Sequence, residues 1–307
     1  MSLVLAELRR LLARRAVALL LVAGLVLAAL VTAAVAWDGR PVSGSERAFG
    51  EEQYQQELSA CEENPRRYGG GRGFECADAV MPPEAYSYRQ VLSTEAVLDG
   101  LLPSLTTLLG LVALIIGTTF VGAEWVSGSM SNLLLFEPRR GRVWLAKVVV
   151  VAVVGTAFAT LVLGLAIAGS LAAAISWSDA SWGSTRSWYA AYSILRGIIV
   201  VVAIAVVGVA ITLALRSTIA TVGLAFGYAM VGEAMLRAIN REAVEPWLLS
   251  SHMVAFLNGE LKLYGDSFAR RPEVTVLHLQ TSALYLGALM LVLLVVSWLT
   301  FRRRDIA

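Results

Sequence analysis

The 307-residue chain is 57% hydrophobic and 16% charged, with a mean hydropathy of +0.69, against about 45–50% apolar and about 25% charged for an ordinary soluble domain. So much apolar surface exceeds what a soluble interior can hide, and a bilayer is the expected solvent. The net charge of +2 excludes little, but the basic residues fall in short clusters between apolar runs and form no continuous patch, which argues against nucleic-acid binding. In chain order, residues 1–15 come first. "SLVLAELRRLLARR" places Val4, Leu8, Leu11 and Leu12 at helical spacing, with Arg10 and Arg14 four apart on another face. That pattern predicts an interfacial helix over 1–15 whose basic side chains face anionic headgroups.

A helix that crosses the hydrocarbon core needs about 20 predominantly apolar residues. Six runs qualify: Ala16 to Ala36, Leu101 to Val121, Val148 to Leu171, Ile194 to Leu215, Thr218 to Ala238, and Ser282 to Phe301. The first is too long for a signal-peptide core and lacks a convincing small-residue cleavage site, so it is read as a span. Short loops rich in Lys and Arg mark the cytoplasmic side. Arg9, Arg10, Arg14 and Arg15 precede the first span, Arg139, Arg140, Arg142 and Lys147 separate the second from the third, Arg216 separates the fourth from the fifth, and Arg302, Arg303 and Arg304 follow the sixth. With six spans all four clusters fall on one side. Residues 38–95, with eleven acidic against six basic residues, fall on the other. The expected architecture is therefore an all-α membrane protein: a single transmembrane domain over 1–307, six transmembrane helices, an N-terminal interfacial helix, and both termini cytoplasmic.

Two extracytoplasmic segments are expected, 38–95 and 239–280. Cys61 and Cys76, the chain's two cysteines, both fall in the first, and an even count in an oxidising compartment predicts a disulfide. The nearby "YGGGRGFEC" superficially resembles a phosphate loop but lacks the Lys-Ser/Thr ending, so it reads as a turn in a stapled cap. In the second segment, Trp247 to Leu257 is apolar yet too short to cross, which predicts a re-entrant or surface helix with Trp247 and His252 at the water boundary. Two histidines, His252 and His278, without accompanying Cys or paired carboxylates do not make a zinc site, and no metal is expected.

Three ionisable residues interrupt the apolar runs: Arg196, Glu233 and Arg237. Intramembrane charges are costly and mark functional candidates. Arg196 and Glu233 fall in the outer parts of adjacent spans, and Glu233 and Arg237 lie four apart. They read either as an ion cluster locking two helices or as a polar element of a translocation path. Gly155, Gly164 and Gly169 in the third span, and Gly223, Gly227 and Gly232 in the fifth, predict close helix approach, with Gly223 and Gly227 as a GxxxG pair.

The segment 122–147 is longer and more charged than a plain connection requires. Ser127 can cap a helix on which Val126, Met130, Leu133 and Leu134 form one apolar stripe. Glu137 precedes Pro138, so the helix ends at about Phe136. Arg139, Arg140 and Arg142 follow as a basic corner before Trp144 opens the next span. The result is a short amphipathic helix fit to dock in a groove of another protein and pass its motion to two membrane helices.

"GAEWVSGSMSNLLLFEPRRGRVWLAKVVV" resembles the signature region of permease subunits of type-two ABC exporters. In that family a Glu ends the second span, a Gly-Thr or similar pair opens a short helix, and a Pro with one or two Arg precedes a Lys starting the third. Glu124, Gly128, Ser129, Pro138, Arg139, Arg140 and Lys147 occupy those positions, with Arg142 in the same basic corner. Ser129 stands where Thr is usual. The likeness extends to the six-span plan, "LRSTIATVG" between the fourth and fifth spans, and the Glu late in the fifth. It implies that 122–147 is the coupling segment to a cytoplasmic ABC ATPase present in two copies, beside a second permease copy, either identical or a paralogue, in a bacterial cytoplasmic membrane. The chain holds no GxxxxGK[ST] segment, so ATP and Mg belong to the partner ATPase, no cofactor is expected in this chain, and it is read as a transport subunit and not an enzyme. The expected cargo is an amphiphile such as a drug, peptide antibiotic or lipid. The competing readings are a receptor or scaffold that uses the stapled outer loop and, more remotely, a membrane enzyme.

Overall fold

A computed structural model of the chain describes residues 3–69, 74–86, 92–177, 184–264 and 274–303. Helix α1 (Leu3–Leu12) leads through a two-residue break into α2 (Arg15–Asp38). A cap follows, made of α3 (Gly44–Glu63) and the single turn α4 (Cys76–Ala79), with short 3-10 turns after each. A π-helical turn at Ala96–Leu101 feeds α5 (Leu102–Val126), the short α6 (Ser129–Phe136) and the long α7 (Arg140–Trp177). Helix α8 (Ser184–Leu215) turns at Arg216 into α9 (Thr218–Phe226), which continues through a π-helical segment, Gly227–Gly232, into α10 (Glu233–Val244). The chain closes with α11 (Leu249–Asn258), two strands and α12 (Leu279–Arg303).

Six helical stretches are long and apolar enough to cross a membrane: Arg15–Asp38, Ala96–Val126, Arg140–Trp177, Ser187–Leu215, Thr218–Arg241 and Leu279–Arg303. Each contains one of the runs read from the sequence. The third begins earlier than expected, because Arg140 and Arg142 already lie in the first turn of α7. The wholly helical expectation needs one correction. Strands β1 (Glu260–Tyr264) and β2 (Val274–His278) pair antiparallel, with Glu260 opposite His278 and Tyr264 opposite Val274. "ELKLY" and "VTVLH" alternate or carry β-branched residues, which suits a pleated, half-buried ribbon, and Gly259, at φ +92°, turns the chain out of α11.

Helix α5 is the centre of the bundle. Of its most apolar stretch 72% is buried, against 17% for α2 and 11% for both α9–α10 and α12. The peripheral helices therefore present apolar sides outward, as lipid-facing helices do. The close approach of α5 and α8 depends on glycines that the sequence did not single out. A Cβ at Gly117 would run into the Ala205 carbonyl oxygen, and one at Gly208 would sit 3.0 Å from that of Leu114. By contrast, a Cβ at Gly164, Gly169, Gly223 or Gly227 would meet nothing within 4 Å. The GxxxG pair thus packs against no described element, because α9 touches the core through its other side, where Thr218 approaches Gly122 and Thr221 bonds Thr212.

The cap is stapled as expected, with Cys61 bonded to Cys76 and their Cα atoms 5.8 Å apart. Helix α3 starts with a capping box: Ser43 Oγ accepts from the Glu46 amide while the Glu46 carboxylate accepts from the Ser43 amide. Residues 70–73 of the glycine-rich stretch lie outside the described residues, as does Arg304.

Two outcomes follow. Gly117→Val should lower the detergent-solubilised unfolding midpoint by an amount equivalent to about 1–3 kcal/mol, whereas Gly223→Val should leave it within error, as read by thermal denaturation. Replacing Cys61 and Cys76 by Ser should remove about 3 kcal/mol of cap stability, seen as faster protease cleavage within 44–79.

Candidate functional site

Four basic clusters, far apart in sequence, meet at one end of the bundle. Arg14 in the α1–α2 break donates from Nη1 to the carbonyls of Phe120 (2.8 Å) and Thr119 (3.3 Å) near the end of α5. Arg140 donates to the Arg302 carbonyl at 3.3 Å. The Arg216 guanidinium lies 4.6 Å from the centre of the Trp125 ring, which meets Phe301 edge-on at 6.4 Å.

At the heart of this end lies a buried ion cluster. Lys147, with no exposed surface, donates from Nζ to Glu7 Oε2 (2.8 Å) and to Glu124 Oε2 (2.5 Å). Arg14 Nη2 donates to the other Glu124 oxygen at 3.1 Å, and Arg10 reaches Glu7 Oε1 at 3.0 Å. The buried Phe120 ring also meets two cations, 4.8 Å from Lys147 Nζ and 5.3 Å from the Arg14 guanidinium carbon, and the contact with the fully buried Lys147 is of the desolvated kind worth about 2 kcal/mol. Glu124 sits in the last turn of α5, where the helix dipole disfavours an anion. Arg14 and Lys147 offset that cost and neutralise both carboxylates. The cluster ties α1, the end of α5 and the start of α7 into one unit.

Helix α6 hangs from this unit. Gly128 precedes it at φ +70°, in the left-handed region that side chains disfavour. The helix thus starts at Ser129 with Gly128 as its N-cap, one residue later than a Ser127 cap predicts. The Ser127 hydroxyl instead donates to Ser129 Oγ at 3.0 Å. The end is as read from the sequence, with Glu137 extended before Pro138. Of the predicted four-residue stripe, Met130, Leu133 and Leu134 are buried and pack inward on their own bundle, whereas Val126 ends α5 and does not join them. Val126, Leu135 and Phe136 face outward, at 88%, 80% and 89% exposure. Beside them Pro138, Arg139 and Arg142 are exposed.

The sequence-predicted residues therefore divide. Glu124 and Lys147 are buried and cannot touch a partner protein in this conformation, whereas Gly128, Ser129, Pro138, Arg139 and Arg142 lie at the surface, with Arg140 half-buried. Arg14 turns inward and not towards headgroups. Glu7 had no role in the sequence reading, yet it is fully buried. Its signal was an acid one turn before Leu11 on an otherwise apolar face, which demands a buried cation.

The intramembrane trio does not come together. Arg196 donates to the Leu257 carbonyl at 3.3 Å. Glu233 accepts the Ser250 amide at 3.0 Å and lies 3.5 Å from Arg237, whose Nη2 donates to Ser250 Oγ at 2.8 Å. Glu233 thus satisfies the first turn of α11, a task for an anion at a helix N-terminus. Sequence spacing could not reveal it, because the partner lies across the α10–α11 corner. His252 is buried, not at the water boundary. Its ring bonds Ser282 Oγ at 3.1 Å and stacks on Tyr285 at 4.0 Å, and burial lowers its pKa below the usual histidine value. Trp247, 70% exposed, does lie at the surface.

A family model described as "Protein of unknown function (DUF2705)" matches residues 91–307. The chain belongs to that family. No curated protein matches it significantly. The DUF2705 match takes in α5 to α12, and with them Glu124, α6 and Lys147, while Glu7 and Arg14 lie before it. The ion cluster thus joins the family region to the segment that precedes it.

Lys147→Met should leave two buried carboxylates facing each other and destabilise the protein by about 3–5 kcal/mol. Adding Glu7→Gln and Glu124→Gln to that variant should recover most of the loss, as measured by thermal unfolding. Three additive losses would show that the cluster does not act as a unit.

Proposed function

We propose that this chain is the membrane-spanning permease subunit of an ATP-driven exporter of the type-two ABC kind. In this reading the end bearing the basic clusters faces the cytoplasm of a bacterial cell, and segment 122–147 couples it to a separate ATPase that binds ATP and Mg. Two copies of the ATPase would serve two permease copies. The observation that carries the reading is the surface of α6. Its exposed apolar end, Leu135 and Phe136, is followed within six residues by exposed Arg139 and Arg142, on a helix hung between two membrane-crossing helices.

Three physical points support it. Large exposed apolar side chains beside charged ones mark protein contacts. Arg140 and Arg142 occupy the first turn of α7, where the helix dipole disfavours cations, and an acidic partner surface offsets that cost. Finally, the Glu7–Lys147–Glu124 cluster makes α1, α5 and α7 answer together to a push on α6, the rigid-body response a transporter needs. The residues that match the family motif then have two roles: Arg139, Arg140 and Pro138 border the partner, while Glu124 and Lys147 transmit its motion. Convergence of four basic clusters at one end supports the cytoplasmic orientation, because that arrangement is what the positive-inside rule requires. The expected cargo remains an amphiphile carried between two permease copies.

The test is affinity purification of the native chain from its own membranes. A protein carrying GxxxxGK[ST] should copurify in stoichiometric amount. Leu135→Ser with Phe136→Ser, or Arg139→Glu with Arg142→Glu, should weaken that association at least tenfold while the permease stays inserted and its unfolding midpoint is unchanged. Purification of the native chain without any such protein, or full retention by both variants, would overturn the proposal.

A further inference from the structure

Of the cations well inside the spans, Lys147 meets two carboxylates, and Arg237 lies 3.5 Å from Glu233 and 3.9 Å from Glu245. Arg196 on α8 differs. It is half-buried, forms no ion pair among the described residues, and makes a single hydrogen bond there, 3.3 Å long, to the Leu257 carbonyl. That carbonyl belongs to the last turn of α11, whose dipole favours a cation. The turn at Gly259 leaves room for it, since a Cβ there would come 3.2 Å from Arg196 Nη1. Asp99 does not neutralise Arg196, because its carboxylate accepts instead from the Tyr189 hydroxyl at 3.3 Å. One long bond to a neutral carbonyl leaves the charge without a counter-ion and most of the guanidinium donors unused.

The height of this charge is set by its own helix. Arg196 stands 20 residues before Arg216, about 30 Å along α8 at 1.5 Å per residue, which equals the roughly 30 Å hydrocarbon core. Arg216 lies among the basic clusters at one end, so Arg196 falls at the opposite edge of the core. Side chains on a helix lean toward its N-terminus, and the N-terminus of α8 is at that far end, so the guanidinium leans toward the headgroups. Trp188 and Tyr192, both exposed and with ring centres 6.5 Å apart, lie just beyond it, as aromatic rings do at headgroup level. Leu195 and Ile199 are exposed as well. Tyr192 and Ile199 stand four residues before and three after Arg196, on its side of the helix. The charge thus borders a strip that a bilayer covers.

We propose that Arg196 binds the phosphate group of a bilayer lipid in the leaflet opposite the basic end, with Tyr192 beside the headgroup and Leu195 and Ile199 along an acyl chain. A phosphodiester supplies what the protein lacks here, a negative charge and paired oxygens that fit the guanidinium fork. Lipid phosphates lie at the edge of the core, the height at which Arg196 is placed, and the exposed apolar strip beside it suits the attached chain. The bound lipid sits against the joint of α8 with the end of α11. The inference rests on the chain crossing a bilayer and not on the permease reading, so it needs neither ATP nor a partner.

The test uses the full chain in vesicles of digalactosyldiacylglycerol, a bilayer lipid without phosphate, that contain a small fraction of phosphatidylglycerol bearing a headgroup diazirine. Photolabelling should concentrate on residues 189–199, about fivefold above Leu284, which is exposed at a similar height on α12. Unlabelled phosphatidylglycerol should remove that excess, whereas diacylglycerol with the same chains and inorganic phosphate should not. Arg196→Gln should remove it too, with labelling at the basic end unchanged. Should that variant fail to fold, the competition on the native chain decides. Labelling no higher than at Leu284, or unchanged in a folded Arg196→Gln, would mean that Arg196 only seats α11 and would overturn the proposal. So would equal displacement by diacylglycerol, the mark of an apolar lipid contact, or by inorganic phosphate, the mark of a free-anion site.

Discussion

Lys147 carries a positive charge to a place with no exposed surface, and it stays there because Glu7 and Glu124 meet it from two other helices. A buried charge without such partners would cost several kcal/mol, so the positions of α1, α5 and α7 at this end are set together. Arg14 completes the balance and reaches two backbone carbonyls of α5, while Phe120 presents its ring to both cations. Everything at the basic end is arranged about this cluster: α6 hangs between two of its members, Arg216 stacks on Trp125 one residue beyond Glu124, and the Trp125 edge contact with Phe301 brings in the end of α12.

The rest of the bundle follows a different logic. In a bilayer, apolar side chains gain little by burying against one another, so packing depends on how closely backbones approach. Gly117 and Gly208 bring α5 and α8 together, and these helices form the enclosed centre. The peripheral helices bury little, and their apolar sides remain for lipid or for another copy. One end of the molecule is thus held by charge and the middle by close contact. The far end is finished by the stapled cap and by the Glu233–Ser250 bond that seats α11.

This division bears on how force would cross the protein. On the proposed coupling reading, a push on α6 would reach α5, α7 and α1 through Lys147, which holds Glu124 and Glu7 at once while Arg14 and Arg10 hold the other carboxylate oxygens. The centre, by contrast, is held by close backbone approach at Gly117 and Gly208.

The apolar runs, their number and the sidedness of their basic loops were legible from sequence alone, since they depend on local composition and helix length and not on which helix touches which. The end of α6 was legible for the same reason: Pro138 restricts Glu137 whatever surrounds it. The disulfide was legible because two cysteines allow a single pairing. What composition could not reveal was partnership. Glu7 looked like one charge on a basic interfacial helix, Arg196 and Glu233 like a pair, and Gly223 with Gly227 like a contact. Only the tertiary structure decided these, because a charge or a glycine takes its meaning from the atoms that come within a few ångströms of it, and those atoms lie tens to hundreds of residues away along the chain.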